Sequence, residues 1–180
     1  MGKRSNFERV DRDYYRTWDS RAIKSLEPYL TVGSGFIEPC AGDYTLARQI
    51  EGLGLECKGA YDIEPNSDLV EKLDALELNE GHIIGADIII TNPPWDRSKK
   101  NGELLHRLIE RFADLRPTWL LFDSDWAYTQ QSKKLIEKYC TDIVVVGRLK
   151  WIEGTNQTGK DNCAWYRFDK NKNSTTLFHV

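Results

Sequence analysis

The sequence predicts an α/β fold: a doubly wound, mostly parallel sheet that ends in an antiparallel pair of strands. Three observations predict it. Short apolar or β-branched runs alternate with stretches of helical periodicity along most of the chain. Ile88, Ile89 and Ile90 form a run without polar alternation, as in a strand covered on both faces. The last two strand-like runs follow one another with only a polar loop between them.

Each element has its own signal. "TWDSRAIKSLEPYL" reads as an amphipathic helix with Thr17 or Asp19 near its N-cap. "GFIEPCAGDYTLARQIEGLG" is a short strand, a turn, a helix and a glycine-rich stop, and "LECKGAYDIEPN" is a second strand ending in acids. "SDLVEKLDALEL" predicts a short helix followed by a strand edge, and "ADIIITNPPW" a strand that two prolines terminate. "GELLHRLIERFADLRP" is a helix stopped by Pro117; its stripe Leu104, Leu105, Leu108, Ile109 and Phe112 is a face packed on the sheet. "TWLLFDSD" is the next strand, and "WAYTQQSKKLIEKYC" predicts one helix with Asp125 as its cap. "DIVVVGRLKWIEG" and "NCAWYRFD" make the terminal antiparallel pair.

The chain has 180 residues, which suits one domain with a sizeable core and no separate target-reading domain. No apolar run approaches membrane-spanning length and the first residues lack the apolar core of a signal peptide, so a cytoplasmic location is expected. Cys40, Cys57, Cys140 and Cys163 show no CxxC spacing and the three histidines are scattered, so reduced thiols and no metal are expected. A net charge of −3 argues against a protein coated in nucleic acid and leaves room for a local basic patch.

In a doubly wound sheet, ligands sit beyond the carboxyl ends of the strands. Three stretches fall there. The first, Glu38-Pro39-Cys40-Ala41-Gly42-Asp43-Tyr44, is a strand-to-helix turn of small residues, in which Gly42 allows close approach to the backbone. A plain structural turn accounts for it equally well. The second, Tyr61-Asp62-Ile63-Glu64, ends a strand in an acid about twenty residues later, where a nucleoside ribose finds its acceptor. A solvent-facing or capping acid is the alternative. The third is Asn92-Pro93-Pro94-Trp95. Each proline holds its predecessor extended, which leaves a stiff pedestal carrying one amide, one free carbonyl and one indole.

The order and spacing of "FIEPCAGDYTLA", "YDIEP", "LDAL" and "ITNPPW" resemble the S-adenosylmethionine-dependent methyltransferases that modify amino groups. The resemblance is strongest to adenine-N6 DNA methyltransferases of the NPPW type, and among them to the small phage-like members. "DYYRTW" is similar to the Asp-x-Tyr-x-Thr-Pro segment of those members, with Trp18 in place of the proline, and Tyr44 departs from the glycine common in their cofactor loop.

The resemblance implies a Rossmann-like, seven-stranded class I methyltransferase sheet and S-adenosyl-L-methionine as cofactor. It implies that Gly42, with Pro39, Cys40 and Ala41, underlies the methionine part of the cofactor, with Glu38 and Asp43 near its amino group. Asp62 would accept from the ribose hydroxyls, Ile63 would pack on the adenine, and Asp74, beside Ala75, would accept from the adenine amino group. Tyr15 and Thr17 would touch the carboxylate end, and Asn92 would border both ligands.

The catalytic set is then Asn92, Pro93, Pro94 and Trp95. Asn92 Oδ1 and the Pro93 carbonyl would take the two hydrogens of an exocyclic amino group, and Trp95 would stack on the base. Arg97, Lys99 and Lys100 beside the pedestal, and Arg148, Lys150 and Lys160 around the last loop, are candidates for phosphate contacts; a solvated surface is the other reading. Trp126 and Trp151 belong either to the same mouth or to the core. DNA is the expected partner, with structured RNA, a protein glutamine or a catalytically silent cofactor-binding subunit as alternatives. Sequence readout would fall to short loops, a second copy or a specificity partner.

Overall fold

The computed structural model of the chain describes residues 15–95 and 102–180. Eight strands form one sheet among the described residues: β1 (Gly35–Glu38), β2 (Glu56–Asp62), β3 (Glu71–Lys72), β4 (Ile88–Thr91), β5 (Thr118–Asp123), β6 (Cys140–Gly147), β7 (Cys163–Phe168) and β8 (Leu177–His179). Their order is β3-β2-β1-β4-β5-β7-β6-β8. The pairings from β3 across to β5 are parallel, whereas β7 runs antiparallel to both β5 and β6. The chain moves outward from β1 to β3, then returns to place β4 on the other side of β1. That reversal opens a crevice at the carboxyl ends of β1 and β4.

Period-two alternation along the central strands sorts their side chains into two cores. Ile37, Ile89, Leu120 and Phe122 face α3 (Gly102–Leu115) and α4 (Lys133–Tyr139). Phe36, Ile90, Trp119 and Leu121 face α1 (Arg21–Leu26) and α2 (Thr45–Glu51). In α3, Leu105, Leu108, Ile109 and Phe112 recur at helical spacing and are buried, and the helix ends two residues before Pro117. Fully burying each such side chain contributes roughly 1.5–3 kcal/mol. No helix among the described residues is long and apolar enough to cross a membrane.

Three local details differ from the sequence reading. The sheet has one strand more than seven. The short β8 pairs with β6, held by Asp142 against His179 at 3.0 Å and by the Thr176 hydroxyl on the Cys140 carbonyl at 2.7 Å. Its Leu177 and Phe178 are exposed, so no apolar alternation announced it.

Residues 67–78 hold no α-helix. They supply the two-residue β3 and a 3₁₀ turn, Ala75–Glu77, where Asp74 Oδ1 accepts from Leu76 N at 2.9 Å and offers the backbone an alternative to a longer helix. The single helix expected from Trp126 onward is split into a 3₁₀ segment, Ser124–Tyr128, and α4. The cap of the 3₁₀ segment is Asp123 rather than Asp125, and hydroxyl bonds of Thr129 to Trp126 O and Ser132 to Thr129 O interrupt the chain between the two. At α1, Asp19 accepts from Arg21 N at 3.2 Å, while Thr17 turns away to the pedestal.

Candidate functional site

A cleft of about 280 Å³ opens at the carboxyl ends of β1, β2 and β4. Every residue assigned to the cofactor from the sequence lines it: Tyr15 and Thr17, residues 38–43, Asp62, Ile63, Asp74, Ala75 and Asn92. Pro94 also lines it, whereas Pro93 and Trp95 do not.

The floor is the turn after β1. Gly42 adopts φ +53° and its N–H donates to Asp62 Oδ2 at 2.9 Å; Asp62 Oδ1 accepts from Glu64 N at 2.9 Å. One carboxylate at the end of β2 thus stiffens both the glycine turn and its own loop. Tyr44 takes the left-handed conformation, φ +71°, that a glycine in that position adopts freely, at a cost on the order of 1 kcal/mol. Asp43 Oδ1 then accepts from Thr45 N at 3.1 Å and starts α2.

Glu38 is the electrostatic outlier. It is 1% exposed, and its Oε2 has no hydrogen-bond partner. Burial pushes its carboxyl well above the usual range; the Ala47 backbone N–H opposes this, and the Asp43 and Asp62 carboxylates reinforce it. The thiol of Cys40 beside it is raised as well, mainly by burial. Glu38, Asp43, Asp62, Glu64 and Asp74 line the cleft against a single guanidinium among the described lining residues, that of Arg16.

Arg16 was not singled out from the sequence. Its Nε pairs with Asp43, its Nη2 donates to Thr45 Oγ1 at 3.2 Å and its Nη1 meets Glu153 Oε2 at 3.0 Å. Residues 15–19 therefore form a strap over the cleft. Gln49 donates to Thr17 O at 2.5 Å, and Asp19 Oδ2 accepts from Lys150 N at 2.9 Å. Nothing local in "DYYRTW" signals this, because the partners lie far away in sequence.

The pedestal follows β4. Asn92 Nδ2 donates to Tyr15 O at 3.2 Å and to Thr17 Oγ1 at 3.0 Å. Trp95 Nε1 donates to Asn92 Oδ1 at 2.9 Å and to Leu121 O at 3.1 Å. Trp151, from the segment between β6 and β7, sets its ring edge-to-face with Trp95 at 5.3 Å, and Tyr15 lies 6.2 Å from Trp151. Trp151 is half-buried: it packs on the core that faces α1 and α2 and joins that core to Trp95 and Tyr15. Trp126 belongs to the core: it is 8% exposed, donates to His106 Nε2 at 3.1 Å and packs on Phe122, Tyr166 and Phe168.

Arg148 and Lys160 are exposed on the segment that carries Trp151, and half-buried Lys150 reaches Asn156 Oδ1 at 3.4 Å. That segment meets the pedestal through the Trp151–Trp95 ring contact. Arg97, Lys99 and Lys100 lie outside the described residues. Among the described residues no three His, Cys, Asp or Glu side chains converge as a metal site.

No protein-family model matches the chain, and no curated protein matches its sequence. Solved structures share its fold. A Pyrococcus horikoshii protein proposed as an RNA methyltransferase is 19% identical with a TM-score of 0.54, covering 93% of this chain and 94% of that one. A Listeria monocytogenes protein proposed as a class I S-adenosylmethionine-dependent methyltransferase is 11% identical, TM-score 0.59, over 96% of this chain and 67% of that one. The methyltransferase subunit of a Streptococcus thermophilus type I restriction-modification system is 9% identical, TM-score 0.59, over 98% of this chain and 48% of that one. The fold is the Rossmann-like one of class I methyltransferases.

Proposed function

We propose that the chain transfers a methyl group from S-adenosylmethionine to the exocyclic N6 amino group of adenine in DNA. The observation that carries this reading is the pedestal: an amide locked by three hydrogen bonds, on a proline pair, at the rim of an acid-lined cleft at the sheet's switch point. The residues present fit the cofactor. A buried carboxyl with an orphaned oxygen, Glu38, suits the ammonium of a zwitterion, and the excess of acids suits a ligand that also carries a sulfonium. When bound, S-adenosylmethionine supplies an electrophilic methyl group.

The chain's own groups do the rest. Glu38 and Asp43 hold the ammonium, and Arg16 with the Thr17 hydroxyl holds the carboxylate; that hydroxyl accepts from Asn92 and so keeps its hydrogen to donate. Asp62 accepts from the ribose hydroxyls through the lone pairs its backbone partners leave, and Asp74 from the adenine amino group. Ile63, 48% exposed, covers an adenine face.

At the pedestal, Asn92 Oδ1 and the Pro93 carbonyl accept the two hydrogens of the target amino group. They orient its nitrogen for in-line attack and stabilise the positive charge that grows on it. The proton leaves to solvent water after transfer, so no strong base is required. Trp95 and Trp151 offer aromatic surface for an extruded base, and Arg148, Lys150 and Lys160, with Arg97, Lys99 and Lys100, neutralise phosphates without reading sequence.

Structured RNA is the second reading, favoured by the near full-length match to the Pyrococcus horikoshii protein proposed as an RNA methyltransferase. Incubation with methyl-labelled cofactor and DNA, RNA or protein separates the substrates. Label in N6-methyladenine of DNA is expected, lowered by about two orders of magnitude or more in Asn92→Ala. Label confined to RNA or protein, or wild-type rates in Asn92→Ala, would overturn the reading.

A further inference from the structure

We propose that Trp95 serves catalysis through its indole N–H, as a positioning residue for the Asn92 carboxamide, in addition to any contact its ring makes with the base. The inference rests on the methyl-transfer reading above and deepens it.

An amide side chain has two N–H donors and two acceptor lone pairs. In Asn92 both donors are used, on Tyr15 O and Thr17 Oγ1, and one lone pair of Oδ1 takes the Trp95 indole hydrogen. A flipped amide would set its NH₂ against the indole N–H and its oxygen against the Tyr15 carbonyl, so only one orientation satisfies all three partners. One lone pair remains, for one hydrogen of the substrate. The acceptor is therefore aimed before the substrate arrives and needs no reorganisation during transfer.

The bond is also shared. Trp95 Nε1 reaches Leu121 O at 3.1 Å as well as Asn92 Oδ1 at 2.9 Å. As the substrate N–H approaches Oδ1, the indole hydrogen shifts toward the Leu121 carbonyl and is never left buried without an acceptor, a loss that would cost more than an ordinary hydrogen bond gains. The indole is held in this place by packing on both cores and by the edge-to-face contact with Trp151. Trp151 is held in turn by Gly159, where a Cβ would lie 2.9 Å from the Trp151 indole. Phenylalanine at position 95 keeps an aromatic face and loses the donor.

The test replaces Trp95 with 3-benzothienylalanine, which keeps the bicyclic shape with sulfur in place of N–H, and separately with phenylalanine. Methyl transfer to an adenine-containing oligonucleotide is resolved into kcat and KM, and the Asn92 side-chain N–H resonances of the free protein are followed by NMR. The expected result is a kcat lower by about 10- to 100-fold with KM for the oligonucleotide within about 2-fold. The Asn92 resonances should be separate and slowly exchanging in the wild type and should move toward averaged, fast exchange in both variants. An unchanged kcat with a raised KM would assign Trp95 to ring contact alone and overturn the proposal, as would unaltered Asn92 resonances. A wild-type protein that methylates no nucleic acid would remove the methyl-transfer reading instead, and the Asn92 resonances would still decide the positioning.

Discussion

The backbone N–H of Gly42 donates to Oδ2 of Asp62 at 2.9 Å, joining the turn after β1 to the end of β2 across twenty residues of sequence. The same carboxylate accepts from Glu64 N, so it holds two loops of the cleft before any ligand is present. Asp62→Ala should therefore lower S-adenosylmethionine affinity by at least the loss of one charge-assisted hydrogen bond, roughly 1.5–3 kcal/mol. Titration calorimetry on the variant checks this, and unchanged affinity would remove Asp62 from the site.

Glu38 links the site to pH. Its folded pKa lies above its unfolded value of about 4.5, so the stability it contributes is fully present below that value and is lost as pH rises through the folded pKa. Glu38→Gln should then be more stable than the wild type at neutral pH, with a difference that vanishes below about pH 4.5. The same change should weaken binding of the ammonium-bearing cofactor. Thermal unfolding across pH, with calorimetry at neutral pH, reads both; a variant less stable than the wild type at pH 7 would contradict the account.

His106 has the opposite sign. Burial lowers its pKa from 6.5, partly offset by Glu110, and its Nε2 accepts from the Trp126 indole and so must stay unprotonated. Its contribution is present above about pH 6.5 and is lost as pH falls through the lowered folded value, because the unfolded chain takes up the proton first. Glutamine at 106 can still accept the indole hydrogen but does not titrate. The stability difference between wild type and His106→Gln should shift in favour of the variant below pH 6.5, and a difference independent of pH would refute this.

Arg16 joins the cleft to the segment that carries Trp151. Its pairs with Asp43 and Glu153 are substantially exposed, so Arg16→Ala should change global stability by no more than about 1 kcal/mol. Cofactor affinity should fall, and residues 148–162 should be cleaved faster by a protease, since Glu153 loses its anchor. Limited proteolysis with and without cofactor checks the coupling, and an unaltered cleavage rate would break it.

Local chemistry determined much of this protein. The apolar runs Phe36–Ile37 and Trp119–Phe122, the helical stripe from Leu105 to Phe112 and the double proline after Thr91 each act through neighbours in the chain. They were legible, and with the switch-point rule they placed residues 38–43, Asp62 and Asn92 around one cleft, whereas Asp74, which also lines it, was implied only by the family resemblance. Only the tertiary structure decided the rest. Arg16 meets Glu153 across 137 residues, Trp95 shares its N–H with a carbonyl 26 residues away, and Trp151 rather than Trp126 meets Trp95. The strand β8 exists because β6 offers it an edge, not because "TLFHV" alternates. Hydrogen bonds and ring contacts of this kind depend on where two distant backbones are brought together, and no periodicity in either segment carries that information.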